Sequence, residues 1–239
     1  PELVSVYNNR ALVEITRGRF RQAVVDLDEA LKRDPKYVDA LNNHGFALMQ
    51  LGRLDRALAD FNATVALNPK YTNAWNNRGL VKRQMGDLEG AMLDFTQAML
   101  LDPTNPKYYE HRHDVYLLQG EIKKAKEDER KIQFLVGLKA ISNAVAQSPN
   151  NPAVYLARAE HYWKQGDDSS ARQDFDQAVT LSPMDDMTAV LHRANFLLGC
   201  KDVAAAIADC ERVLALGPNQ TALSIRGDCR KAQRDYAGA

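Results

Sequence analysis

The chain has 239 residues, and its 31 Lys and Arg balance its 31 Asp and Glu, so there is no net field to gather phosphates or anionic lipid. Nucleic acid is therefore disfavoured as the main partner. Three cysteines without a CxxC pair exclude a disulfide framework and suit a reducing, cytoplasmic location, and no apolar run reaches the roughly 18 residues that would cross a membrane.

Spacing carries the rest. Gly18, Gly52, Gly86 and Gly120 fall 34 residues apart, and so do Pro35, Pro69 and Pro103. A fixed period of that length marks a helical repeat array, in which each unit buries its apolar face on its neighbours. With Val4 as position 1, the first four units begin at Val4, Val38, Thr72 and Pro106. Each predicts a first helix, a turn at the Gly of position 15, a second helix, and in the first three units a stop at the Pro of position 32. Position 8 is small in Ala11, Gly45 and Gly79, position 20 is Ala23, Ala57, Ala91 and Ala125, and position 24 carries Leu27, Phe61 and Phe95. Small residues on one helix facing bulky ones on the other allow the pair to approach closely.

Beyond the fourth unit the phase slips. Arg112 to Arg158 and Asp128 to Asp174 are both 46 residues, so twelve extra residues lie between Asp128 and Pro149. Glu121 to Ser148 contains no Pro and only Gly137, which predicts one second helix near 28 residues long. Twelve residues of helix add about 18 Å and leave the following unit rotated by about 120°. A kink at Gly137 is the competing expectation. The array accordingly divides into residues 1–148 and 149–239. A fifth unit begins at Pro152 and a sixth at Met187, where Lys201 takes the turn-Gly position and Cys210 stands at position 24. A seventh begins near Gln220, and Asp235-Tyr236-Ala237-Gly238-Ala239 reads as the start of its second helix. Opening on Pro1 and stopping inside a unit, the sequence reads as a piece of a longer protein.

Two rows of residues recur near the core. Position 7 is Arg10, His44, Arg78, Arg112, Arg158, Arg193 and Arg226, while position 23 is Asp26, Asp60, Asp94, Asp128, Asp174 and Asp209. These predict an interhelix ion pair in each unit that fixes register, not an acid–base site. A third row differs. Asn9, Asn43 and Asn77 at position 6 follow Asn8, Asn42 and Asn76 at position 5, although Asn is a mediocre helix former. Position 6 faces away from the core, and an amide offers both donor and acceptor to an extended peptide backbone. Leu12, Phe46 and Leu80 at position 9, extended by Ile15 and Met49, would form an exposed apolar strip beside it. Replacing Asn9, Asn43 and Asn77 by Ala is expected to leave the fold intact. From the fourth unit the face changes to His111, Asp114, Glu160, Trp163, Asn195 and Asp228, so the better groove is expected in the first three units. His111 and His113 project to opposite sides of a helix and share no metal, and no catalytic, phosphate-loop or cofactor motif occurs.

Trp75, Gly79, Gly86, Ala91, Phe95, Ala98 and Pro103 stand in Thr72–Asn105 as they do in the tetratricopeptide repeat, and the chain resembles that family over nearly its whole length. The resemblance implies an all-α, right-handed superhelical solenoid of helix–turn–helix units with position 6 lining a concave groove. Some arrays of the family, including those of protein O-glycosyltransferases, use position-6 asparagines as a ladder for peptide backbone. The family's carboxylate clamp for EEVD-like tails is missing, because position 5 is Asn8, Asn42, Asn76, Glu110, Leu156, Leu191 and Ser224 and never Lys. The expected function is a non-catalytic module binding an extended, uncharged or mildly apolar peptide of a partner protein. A substrate-recruiting arm of a larger enzyme such as a glycosyltransferase, or a self-assembly scaffold, are the alternatives. A monomer is expected, with self-association open.

Overall fold

The computed structural model describes residues 2–237, with side chains described over 3–233. Among these residues there are thirteen helices and no strand. The helices α1 (Glu2–Thr16) and α2 (Phe20–Arg33) form the first hairpin, followed by α3 (Val38–Gln50) with α4 (Leu54–Leu67) and α5 (Thr72–Gln84) with α6 (Leu88–Leu101). Next come α7 (Pro106–Leu118) with α8 (Ile122–Gln147), α9 (Pro152–Trp163) with α10 (Asp168–Leu181), α11 (Thr188–Gly199) with α12 (Val203–Leu214), and finally α13 (Gln220–Ala237). The chain divides into two compact parts, residues 1–135 and 136–239, at a point inside α8 and upstream of the phase boundary after Ser148. No described helix is long and apolar enough to cross a membrane.

The turn inside each hairpin has one solution. Gly18, Gly52, Gly86, Gly120 and Gly166 adopt φ of 72, 72, 85, 74 and 76°. This left-handed residue lets the next N–H fold back onto the first helix, as in Arg19 N–H to Glu14 O at 2.8 Å and Arg53 N–H to Leu48 O at 2.9 Å. At the hairpin crossing, a Cβ on Gly79 would stand 2.6 Å from Cε1 of the fully buried Phe95, so the absent side chain is what admits the ring. The Ala row at position 20 is buried throughout, including Ala23, Ala57, Ala91, Ala171 and Ala206 at 0% exposure.

The long helix is one element of 26 residues that runs through Gly137 without a break, slightly shorter than expected. Gly137 has a packing reason: a Cβ there would lie 2.8 Å from Cε1 of His161 on α9. At the C-terminus the expected second helix of unit seven is not formed as predicted. Asp235, Tyr236 and Ala237 continue α13, because no left-handed Gly interrupts it at the turn position, which is Arg234. Gly238 and Ala239, the last residues of that expectation, lie outside the described residues.

Lys201 takes the left-handed turn with φ 63°, the one non-glycine residue with positive φ among the described residues. A side chain in that region costs about 1 kcal/mol. Lys201→Gly is expected to raise stability by about that amount in urea unfolding, and an unchanged midpoint would show the turn to be unstrained. With Lys201 and the small Cys210 in unit six, amide exchange is expected to be faster over 187–233 than over 38–105.

Candidate functional site

The position-7 and position-23 rows meet as ion pairs. Arg10 bonds Asp26, and Arg78, Arg112, Arg158 and Arg193 reach Asp94, Asp128, Asp174 and Asp209 at 2.6 to 2.7 Å. His44 Nδ1 takes the same place on Asp60 at 2.8 Å. Some of these groups also reach back to position 25 of the preceding unit. Arg78 Nη1 donates to Asn62 Oδ1 at 3.0 Å and Arg193 Nη1 to Asp176 Oδ1 at 2.8 Å. The bond to its Asp raises the pKa of the Arg112, Arg158 and Arg193 guanidinium groups further above their ordinary value. These carboxylates are consumed by packing and present no free acid or base.

The asparagine rows are also bonded, and this corrects part of the expected site. Asn43 Nδ2 donates to Asn8 Oδ1 at 2.9 Å, Asn77 Nδ2 to Asn42 Oδ1 at 3.3 Å, and His111 Nδ1 bonds Asn76 Oδ1 at 2.7 Å. Each position-6 group thus holds the position-5 amide of the unit before it. Asn8 and Asn42 are buried at 4% and 7% exposure, because position 5 turns toward the following unit and not into the groove. Met49 at position 12 lies on the same side and is buried in the core. The apolar strip is mostly packed as well: Leu12 is exposed, but Phe46 and Leu80 lean half-buried on the core, with the Phe46 ring edge-on to Phe20 at 6.3 Å. Asn9 is exposed, and Asn43, Asn76 and Asn77 are half-buried. His113 bonds the Ala125 carbonyl at 2.9 Å, apart from His111.

The open face lies elsewhere, in units five to seven. A cavity of about 510 Å³ is lined by positions 2, 5, 6 and 9 of α11 and α13, among them Thr188, Leu191, His192, Asn195, Ser224 and Asp228. A second, of about 420 Å³, shares His192 and Asn195 and adds Glu160, Trp163, Lys164 and Phe175. A third, of about 370 Å³, shares Thr188 and Leu191 and runs past Asp185 and Asp186. His192 Nδ1 bridges to Glu160 Oε1 at 2.8 Å across two first helices. The Trp163 ring stands edge-on to Phe196 at 5.6 Å and covers Gly199, where a Cβ would be 2.6 Å from Cζ2. Glu160, Trp163, Asn195 and Asp228 were legible as a change of character, but Thr188, Leu191, His192, Ser224 and Ile225 were missed as a lining. The signal was the absence of an amide pair at positions 5 and 6, which carry Leu191 and His192 in unit six and Ser224 and Ile225 in unit seven.

The sequence model of the tetratricopeptide repeat matches residues 8–71, 42–106 and 122–186, more than half of the chain. The chain belongs to the tetratricopeptide-repeat family. No curated protein sequence matches it. Among solved structures, Pseudomonas aeruginosa pilF is similar at 20% identity over 98% of each chain, with a TM-score of 0.50. A MamA protein is similar at 22% identity over 75% of this chain and 92% of its own, with a TM-score of 0.51. A chain of the APC/C hetero-tetramer Cut9–Hcn1 is similar at 16% identity over 96% of this chain and 43% of its own, with a TM-score of 0.53. At these identities the likeness is one of fold. Two of the three adjoining cavities sit largely on the first helices α9, α11 and α13, and the third lies at the turns that precede α11 and α13.

Two outcomes follow from the bonded amides. Asn43→Ala strips the donor from buried Asn8 and is expected to cost about 1–3 kcal/mol in chemical unfolding, whereas Asn9→Ala should stay within about 0.5 kcal/mol of wild type. Equal stability of the two variants would dismiss the amide relay as a structural staple. Burial, and then Arg83, lower the His111 pKa from 6.5, so the folded chain resists protonation that the unfolded chain accepts. Stability held above that pH is lost as pH falls through and below it, and the urea midpoint should drop between about pH 7 and pH 5.5, less steeply in His111→Gln.

Proposed function

We propose that this protein is a non-catalytic interaction module that holds a short extended segment of a partner protein against its first helices. The observation that carries this reading is the pair of adjoining cavities over α9, α11 and α13, continued by a third at the turns before α11 and α13, with apolar floor residues Leu191 and Ile225 and a polar rim. Adjacent first helices lie about 10 Å apart and an extended chain advances about 3.3 Å per residue, so three units take roughly nine residues. In units one to three, Asn9, Asn43 and Asn77 with Leu12 offer a shallower stretch, whose amides keep at least one N–H each for a backbone carbonyl. The buried free thiols of Cys210 and Cys229 favour a reducing compartment such as the cytoplasm.

A second reading, self-association, rests on the outer face of α1. Leu3, Val6 and Val13 are 56%, 58% and 45% exposed there. Light scattering of the 239-residue chain separates the two, since a second copy on that face would give a concentration-dependent dimer.

Panning a random nonapeptide display library on the chain tests the main reading. Peptides recovered and resynthesised should bind in calorimetry. Ser224→Trp, at an exposed position on the main cavity, should weaken them by about tenfold or more, because the ring takes up the volume the ligand needs. A library that yields no binder, or binders indifferent to Ser224→Trp, would remove the groove as the site.

A further inference from the structure

We propose that the groove of units five to seven takes a segment carrying a lysine or arginine side chain, because Asp185, Asp186, Glu160 and Asp228 line its three cavities while Lys164 is the one Lys or Arg among the lining residues. The inference rests on the peptide-module reading above and specifies its ligand.

The carboxylates are spread along the track and not clustered at one point. Asp185 and Asp186 lie at one end beside Thr188 and Leu191. Asp228 lies in the central cavity with Ser224 and Thr221. Glu160 lies at the far end beside Trp163. Asp185, Asp186 and Asp228 are exposed and Glu160 is half-exposed, so a ligand reaches them without opening the fold. Their present partners leave room for another cation. Asp186 Oδ1 accepts the Thr188 N–H at 3.0 Å, a local turn bond that leaves its charge in place. The Lys231 partner of Asp228 is 79% exposed and three residues away on the same helix, a surface pair of the weak kind. His192 on Glu160 is 43% exposed, so this too is a surface pair of the weak kind.

The floor tells the same story in different chemistry. Trp163 offers an indole to a guanidinium or ammonium group one helical turn from Glu160, the pairing that favours a cation over a neutral side chain. Leu191 and Ile225 cover the stem of a long side chain, whose aliphatic part is buried as readily as its head is solvated. An acidic tail or a phosphate would meet four carboxylates with one lysine to offset them, so anionic ligands are rejected by the same surface. The corresponding face of units one to three lacks these carboxylates, since Leu12, Phe46 and Leu80 hold the position that Glu160 and Asp228 occupy in units five and seven.

The test uses the nonapeptides recovered on the 239-residue chain and a Glu160→Gln, Asp185→Asn, Asp228→Asn variant, whose three side chains are exposed or half-exposed and whose melting temperature should match wild type. Recovered peptides are expected to carry Lys or Arg at an internal position. The triple variant should bind them roughly 5- to 100-fold more weakly, as three surface pairs of modest strength are lost together. Raising salt from about 0.05 to 0.3 M should weaken wild type more than the variant. Binders that lack Lys and Arg, or cationic binders whose affinity the triple variant leaves unchanged, would overturn the cationic ligand while peptide binding stands. A library without any binder would overturn the module reading itself and this inference with it.

Discussion

Each first helix can bury its position-3 and position-10 side chains only beneath the unit before it. Ala40, Ala47, Ala74 and Val81, which hold those places in units two and three, are 0% exposed, and so is Val115 in unit four. The same places in unit one are Val6 and Val13, at 58% and 45%. Burial of these side chains is therefore a property of the junction between units and not of a single hairpin. The recurrent small residues follow from that constraint. Ala at position 20 and Gly or Ala at position 8 bring two helices of a hairpin together, and the packed pair then offers one surface to the next unit.

Apolar contact of this kind is weakly directional, and the polar groups supply the register. The guanidinium at position 7 meets its own Asp at position 23, and where it also reaches position 25 of the previous unit it fixes two junctions with one side chain. Its planar fork makes the two bonds geometrically strict, as a lysine would not. On the opposite side of the first helices, Asn43 and Asn77 do similar work by holding Asn8 and Asn42. A buried amide without that donor would carry a desolvation cost of about 1–3 kcal/mol, so the Asn rows are explained by packing before any ligand is invoked.

The two stretches of first-helix face then differ for one reason. Where positions 5 and 6 are both Asn, Asn43 and Asn77 reach the position-5 amides of the unit before and bridge the first helices at that level. Where they are Leu191 and His192, or Ser224 and Ile225, no such bridge forms, and a cavity of about 510 Å³ opens between α11 and α13. The long α8 separates the units that close the face from those that open it. Its Gly137 admits the His161 ring, which joins the extended helix to the hairpin that follows.

The sequence by itself determined the helices, their pairing and the repeat register, because a left-handed Gly, a helix-ending Pro and a small-against-large crossing are local requirements that recur at fixed spacing. It also determined the Arg–Asp rows, since the two positions are sixteen residues apart in every paired unit from Arg10–Asp26 to Arg193–Asp209. Tertiary structure alone decided which polar side chains are spent on packing. Positions 5 and 6 are adjacent in the chain and look alike as Asn8 and Asn9, yet a rotation of about 100° sends one to the next unit and leaves the other in solvent. Met49 was placed in the wrong environment for the same reason, and the open groove was missed because it depends on what is absent between two helices. Hydrogen bonds and voids between neighbouring units belong to pairs of residues about 35 apart, and a repeat pattern read one unit at a time does not register them.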